Sequence, residues 1–111
     1  TNRRSDDMLS IRGVNVYPSQ IEEAVFGAVQ GEAPYQIVVE RTQAMDSMEV
    51  IIEITDKIFA LELQKQRSFL ELVKKRITSI AGMSASVKLV EANSIPRQDG
   101  KIKRVLDKRQ I

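Results

Sequence analysis

From Phe59 to Ile80, apolar residues return every three or four positions, at Phe59, Leu63, Leu70, Val73, Ile77 and Ile80, with only Gln66 interrupting the stripe. That spacing predicts one long amphipathic helix, and a helix with one apolar side must cover it against another layer. The layer lies just upstream. Tyr35-Gln36-Ile37-Val38-Val39-Glu40-Arg41 and Glu49-Val50-Ile51-Ile52-Glu53-Ile54 are rich in β-branched and aromatic residues and read as two strands of a hairpin. Thr42 through Ser47, polar except for Ala44 and Met45, supply a connection of ordinary length. Gly82 stops the long helix, and Val87-Lys88-Leu89-Val90 alternates as a further strand.

The first part of the chain reads the same way. Met8-Leu9-Ser10-Ile11 and Val14-Asn15-Val16-Tyr17 are short alternations split by Arg12-Gly13, an extended segment broken at a glycine. Pro18 suits a first helical position, Glu22 and Glu23 favour the early turns, and Ile21, Val25, Ala28 and Val29 form the apolar stripe before Gly31 ends it. The order is β-α-β-β-α-β. Its standard solution is a ferredoxin-like α+β sandwich, with two helices on one face of an antiparallel sheet. At 111 residues the chain is expected to be a single domain, 1–111, able to fold without staples.

Composition narrows the chemistry. The chain has no Cys and no His, which excludes thiol nucleophiles, Ser-His triads, and thiolate or imidazole metal sites. No metal is expected on it. No apolar run approaches the roughly 20 residues of a membrane span, and the polar start Thr1-Asn2-Arg3-Arg4-Ser5-Asp6-Asp7 lacks a signal-peptide core. The expectation is a soluble, cytoplasmic protein with no membrane partner, cut from something longer. Net charge is only +2, but Pro96 to Arg109 carries six basic side chains against two acidic ones. Something anionic could sit there, or the segment is simply a solvated tail.

Two segments resist a purely structural reading. One runs Arg4-Ser5-Asp6-Asp7-Met8-Leu9-Ser10-Ile11-Arg12-Gly13-Val14-Asn15-Val16-Tyr17-Pro18-Ser19-Gln20-Ile21-Glu22, and the other Ile95-Pro96-Arg97-Gln98-Asp99-Gly100-Lys101-Ile102-Lys103-Arg104. Together they resemble the blocks that bracket the small C-terminal domain of adenylate-forming enzymes, the acyl-CoA synthetases, and within them the phenylacetate-coenzyme A ligases. The resemblance covers residues 4 to 109. It implies a mobile lid that cooperates with an N-terminal nucleotide-binding domain outside this chain. The implied reaction activates phenylacetate or a similar aryl acid with ATP as an acyl-adenylate, then passes the acyl group to CoA. ATP and CoA would be co-substrates, magnesium would bind through the N-terminal domain, and the isolated lid would hold none of them and be inactive.

The same resemblance assigns positions. Arg4 and Asp6 match the hinge about which the domain swings, Gly13 matches the glycine beside the CoA channel, and Lys101 matches the catalytic lysine of adenylation. Many relatives carry an Arg where this chain has Asn15, so no cationic phosphate contact is expected there. By local pattern alone, Asp6-Asp7 reads equally well as an Asx turn.

The physical case for Lys101 stands beside the resemblance. When a carboxylate attacks the α-phosphorus of ATP, charge spreads over the oxygens of both partners, and an ammonium among them stabilises that distribution. Gly100 would leave its loop free to insert. Arg97, Lys103 and Arg104 are candidate phosphate or nucleotide contacts, with pairing to Asp99 or Asp107 an open alternative for the last two. Two rivals share the fold order. An RNA-binding module is disfavoured by the few aromatics, Tyr17, Phe26, Tyr35, Phe59 and Phe69, so no nucleic acid partner is expected. A small-molecule sensing domain would need neither end motif. A homodimer using the strand faces or the edge near Val87 to Val90 is allowed but not demanded.

Overall fold

The β-branched runs pair as expected, but over a greater length. A computed structural model describes residues 8–109. In it, strands β3 (Tyr35–Thr42) and β4 (Met45–Glu53) form an antiparallel hairpin in register from Tyr35 opposite Ile52 to Thr42 opposite Met45. The connection is therefore only Gln43-Ala44, not the six residues expected. Both turn residues have positive φ, 53° and 65°, the signature of a type I′ turn whose twist matches the strands it joins. Polar side chains at the distal ends of both strands had hidden their continuation.

The main sheet takes the order β5-β4-β3-β8, with β5 spanning Ser86–Val90 and β8 Val105–Asp107. Both outer strands run parallel to their neighbours. The α+β class holds, but the sheet is mixed, which corrects the antiparallel expectation. The reason lies in helix α3 (Leu63–Ala81), whose 19 residues rise about 28 Å at 1.5 Å each. That length carries the chain back along nine-residue β4, so β5 runs parallel to β4, and because β1 and β2 stay outside the sheet no strand separates the two and they pair directly.

The opening segment also departs from expectation. β1 (Leu9–Ile11) and β2 (Val14–Val16) form their own two-stranded hairpin outside the main sheet, anchored by fully buried Ile11 and Val16. The edge beside β3 is filled instead by β8, from the segment that read as a basic tail.

Helix α1 (Pro18–Val29) begins at Pro18 as expected, with the Tyr17 N–H donating to Gln20 Oε1 at 2.9 Å. It ends in left-handed Gln30 at φ 61°, one residue before Gly31. The long stripe is interrupted. A short helix α2 (Asp56–Phe59), capped by the Thr55 hydroxyl, precedes α3. Gln66 is polar because its Nε2 donates to the carbonyl oxygens of Ile58 and Leu61, closing off the end of α2. Phe59 and Leu63 are consequently 74% and 70% exposed, whereas Phe69, Val73, Ile77 and Ala81 are the residues that α3 buries. Ile21, Ala24 and Val25 of α1 meet Val73 and Ile77 of α3 over Tyr35, Ile37, Val39, Val50 and Ile52 in one core, so both helices cover the same sheet face. Arg76 on α3 fixes their approach by donating to the Ala24 and Glu23 carbonyls. Among the described residues, no helix is long and apolar enough to cross a membrane.

Candidate functional site

The second end motif folds as a miniature hairpin. β6 (Arg97–Gln98) pairs antiparallel with β7 (Lys101–Ile102), and Asp99-Gly100 form the turn at φ 55° and 77°. An Asp-Gly pair is favoured where both central residues need positive φ. Gly100 therefore makes a tight turn and not the free loop expected of it. Lys101, the first residue after that turn, is exposed and makes no ion pair among the described residues.

One wall behind this hairpin is ionic. Glu53, at the end of β4, is 2% exposed. Arg97 grips it with two bonds, Nη1 to Oε2 at 2.6 Å and Nη2 to Oε1 at 3.0 Å, while Nη1 also reaches the Ile95 carbonyl at 2.7 Å. The Ile95 N–H donates to the same carboxylate at 2.9 Å. The Arg97 hydrogen bond, helped by backbone N–H groups of Ile95 and Asn93, holds the Glu53 carboxyl at about 2 against burial, which acts to raise it. This fork–fork pairing is directional and occupies the guanidinium edge that a phosphate would need.

The other side of the hairpin is stitched to β3. The Lys103 carbonyl accepts from Gln36 Nε2 at 3.1 Å, and the Arg104 carbonyl accepts from the Ile37 N–H at 2.8 Å. The Arg104 guanidinium lies over the Tyr35 ring, 4.5 Å from its centroid, and the Tyr35 hydroxyl donates to Glu22 at 2.8 Å. Phe26 meets the same ring edge-on. Lys101, Gly100, Arg104, Phe26, Glu22 and Glu32 line an open groove of about 720 Å³. Neither Lys103 nor Arg104 pairs with Asp99 or Asp107 among the described residues.

Gly13 sits in the matching turn of the β1–β2 hairpin, where Arg12 and Gly13 have φ of 53° and 81°. It is exposed, and a Cβ there would meet nothing within 4 Å. This hairpin tip lies at the opposite end of the central strands, where Arg12 shares a groove with Arg41, Ala44, Met45 and Asp46. The Lys101 groove is lined instead by Ala33 and Pro34, just before β3 begins. Eight residues of β3 separate the two ends, roughly 23 Å at strand rise.

A second ionic cluster closes this far end. Arg109, with only 8% of its side chain exposed, reaches Asp46 at 2.9 Å, both Asp107 oxygens, and the Ser10 carbonyl at 2.7 Å. Arg41 holds the other Asp46 oxygen at 2.7 Å. Hydrogen bonds from Arg41, then Arg109, keep Asp46 below the usual carboxylate range, and those from Arg109 do the same for Asp107.

The structure thus brings Lys101, Arg97 and Arg104 to one groove and sets Gly13 apart from them. The hinge residues Arg4 and Asp6 lie outside the described residues. Sequence reasoning missed Glu53, Asp46 and Arg109. A carboxylate inside the β-branched run that ends in Ile54 was a signal for Glu53, since a buried charge requires a partner.

A family model described as AMP-binding enzyme C-terminal domain matches residues 13–109. The phenylacetate-coenzyme A ligase of Escherichia coli strain K12 is 41% identical over 108 residues, covering 97% of this chain and 25% of that protein. The chain therefore spans about a quarter of the length of the curated relatives it matches. Among solved structures, a domain of phenylacetate-coenzyme A ligase from Bacteroides vulgatus aligns with a TM-score of 0.81 at 25% identity, over 97% of this chain and 98% of that one. A 2-hydroxyisobutyryl-CoA ligase, in complex with 2-HIB-AMP and CoA in the thioesterification state, aligns with a TM-score of 0.78 at 36% identity, over 95% of this chain and 22% of that one.

Proposed function

The chain belongs to the AMP-binding enzyme C-terminal domain family, and from that premise we propose that it is the swinging lid of an ATP-dependent phenylacetate-CoA ligase. In the first half-reaction a carboxylate oxygen of the aryl acid attacks the α-phosphorus of ATP. A new O–P bond forms, the bond to the bridging oxygen breaks, and pyrophosphate leaves. Lys101 supplies its ammonium to the oxygens that gain charge in that displacement. In the second half-reaction the CoA sulfur attacks the acyl carbon, AMP departs, and the Gly13 hairpin borders the pantetheine path, where a missing side chain lets a narrow chain pass.

The observation that carries this reading is the opposed placement of the two hairpins, with Lys101 at one end of β3 and β4 and Gly13 at the other. A domain with its two motifs beyond opposite ends of β3, whose eight residues span roughly 23 Å, serves a single acyl centre by turning from one end to the other. The hinge roles of Arg4 and Asp6, the nucleotide role of Arg104 and Lys103, and docking onto an N-terminal domain all belong to the same proposal. Arg97 is better explained as a partner of Glu53 than as a phosphate contact. Nucleotide and magnesium are assigned chiefly to the N-terminal domain, as the family resemblance implies.

The open sheet face argues against RNA. Among the described residues, the side chains on this face of β3, β4 and β5 include Glu40, Glu49, Ile51 and Lys88, and none is an aromatic on which bases could stack.

The deciding experiment uses the full-length ligase and Lys101→Ala. Phenylacetate-dependent ATP–pyrophosphate exchange is expected to fall by roughly two to three orders of magnitude, while thioester formation from supplied phenylacetyl-adenylate and CoA survives. Unchanged exchange would make Lys101 an ordinary surface charge and remove the proposal.

A further inference from the structure

The hairpin that carries Lys101 has almost no core of its own. Arg97, Gln98, Asp99, Gly100 and Lys101 are exposed and Ile102 is only half-buried, although Ile95, just upstream, is buried. What orients its first strand is the buried Glu53 carboxylate. That group holds the Arg97 fork and the Ile95 N–H together, from a strand 44 residues away.

We propose that Glu53 and Arg97 are the positioning pair for Lys101, setting the height and tilt of its hairpin for the adenylation step. The proposal rests on the reading of Lys101 as the adenylation lysine. Arg97 pairs with Ile102 and Gln98 with Lys101 across a two-residue turn, so a shift at Arg97 passes directly to the lysine. A bidentate guanidinium–carboxylate contact fixes both distance and angle, which a single bond or an apolar contact does not. Neither Glu53 nor Arg97 need touch the substrate.

The test measures both half-reactions and the melting temperature in the full-length ligase for Lys101→Ala, Glu53→Gln, Arg97→Lys and the apolar double variant Glu53→Met with Arg97→Leu. Displacing a reacting group by about 1 Å can cost roughly 100-fold, so Glu53→Gln is expected to lower kcat for pyrophosphate exchange by roughly 10–100-fold, with KM for ATP changed less than about threefold. Thioester formation from supplied phenylacetyl-adenylate is expected to stay near wild type. Arg97→Lys, which keeps the charge but loses the two-bond fork, should lower exchange by less than Glu53→Gln does. The double variant should recover melting temperature, because well-packed apolar pairs replace buried ion pairs without loss of stability, yet leave exchange impaired. Parallel loss of both half-reactions, with recovery of both in the double variant, would reduce the pair to a structural brace and overturn the proposal. Normal exchange in Glu53→Gln beside a dead Lys101→Ala would overturn the positioning role alone. Normal exchange in Lys101→Ala would overturn both it and the reading beneath it.

Discussion

Arg109 donates from Nη1 to the Ser10 carbonyl oxygen at 2.7 Å, so a side chain near one end of the chain closes on the first strand at the other. The same guanidinium is shared between Asp46 and Asp107, which makes it the knot between the β1–β2 hairpin, β4 and β8.

Arg109→Met cuts that knot and leaves two carboxylates facing each other with Arg41 as their remaining cation. Removing one partner of a buried pair costs about 3–5 kcal/mol, and since the Asp107 side chain is 31% exposed, water should screen the loss to roughly 2 kcal/mol. For a domain of this size that lowers the melting temperature by about 8–16 °C, as read by calorimetry. An unchanged melting temperature would show the cluster to be ornamental.

Stability should also fall in acid through Glu53. Its carboxyl sits at about 2 in the folded chain against an ordinary 4.5, so the stability it contributes is fully present above 4.5 and is lost as pH drops towards 2. The melting-temperature gap between wild type and Glu53→Gln is therefore expected to be constant near neutrality and to narrow between those values. A gap that stays constant down to pH 2 would contradict the Arg97 contact.

Ala44 occupies left-handed backbone at φ 65° in the β3–β4 turn, a conformation that costs a side-chain-bearing residue about 1–2 kcal/mol. Ala44→Gly removes the strain and adds some unfolded-state entropy, for a net gain of roughly 0.5–1 kcal/mol. The check is a higher denaturant midpoint with an unchanged slope.

Gly27 gives the opposite case. A Cβ there would run into the Arg76 guanidinium, which is bonded to the Ala24 and Glu23 carbonyls. Alanine in a helix is otherwise about 1 kcal/mol better than glycine. Gly27→Ala should therefore stabilise an Arg76→Met background more than it stabilises the wild type, in a four-variant denaturation cycle. Equal effects in both backgrounds would show that Arg76 moves aside without cost.

Local periodicity explains what was legible in the sequence. The α1 stripe, the central strands and the Gly82 stop emerged because each repeats over enough residues to show a period. The strands β6, β7 and β8 have two or three residues each, too few for any pattern, and so the Asp99-Gly100 turn passed as a loop. The break before α3 was encoded in Gln66, whose purpose appears only once Ile58 and Leu61 are beside it. Lys101 and Gly13 were singled out as candidates through their neighbours in sequence. Glu53 and Arg109 reach Arg97 and Asp46, 44 and 63 positions away, so although the apolar run around Glu53 and the Asp107 near Arg109 hint at pairing, the distant partners themselves are not legible locally.

The tight Asp99-Gly100 turn has a consequence for timing. A flexible loop would let Lys101 flicker in and out of a reaction centre within nanoseconds to microseconds, independently of everything around it. A lysine on a tight two-residue turn, tied to β4 through Arg97 and Glu53, would arrive and depart with the body that bears it. In the lid proposed above, its duty cycle would then be that of the slow collective rotation, microseconds to milliseconds, and one movement would both withdraw the charge and clear the way for the thiol.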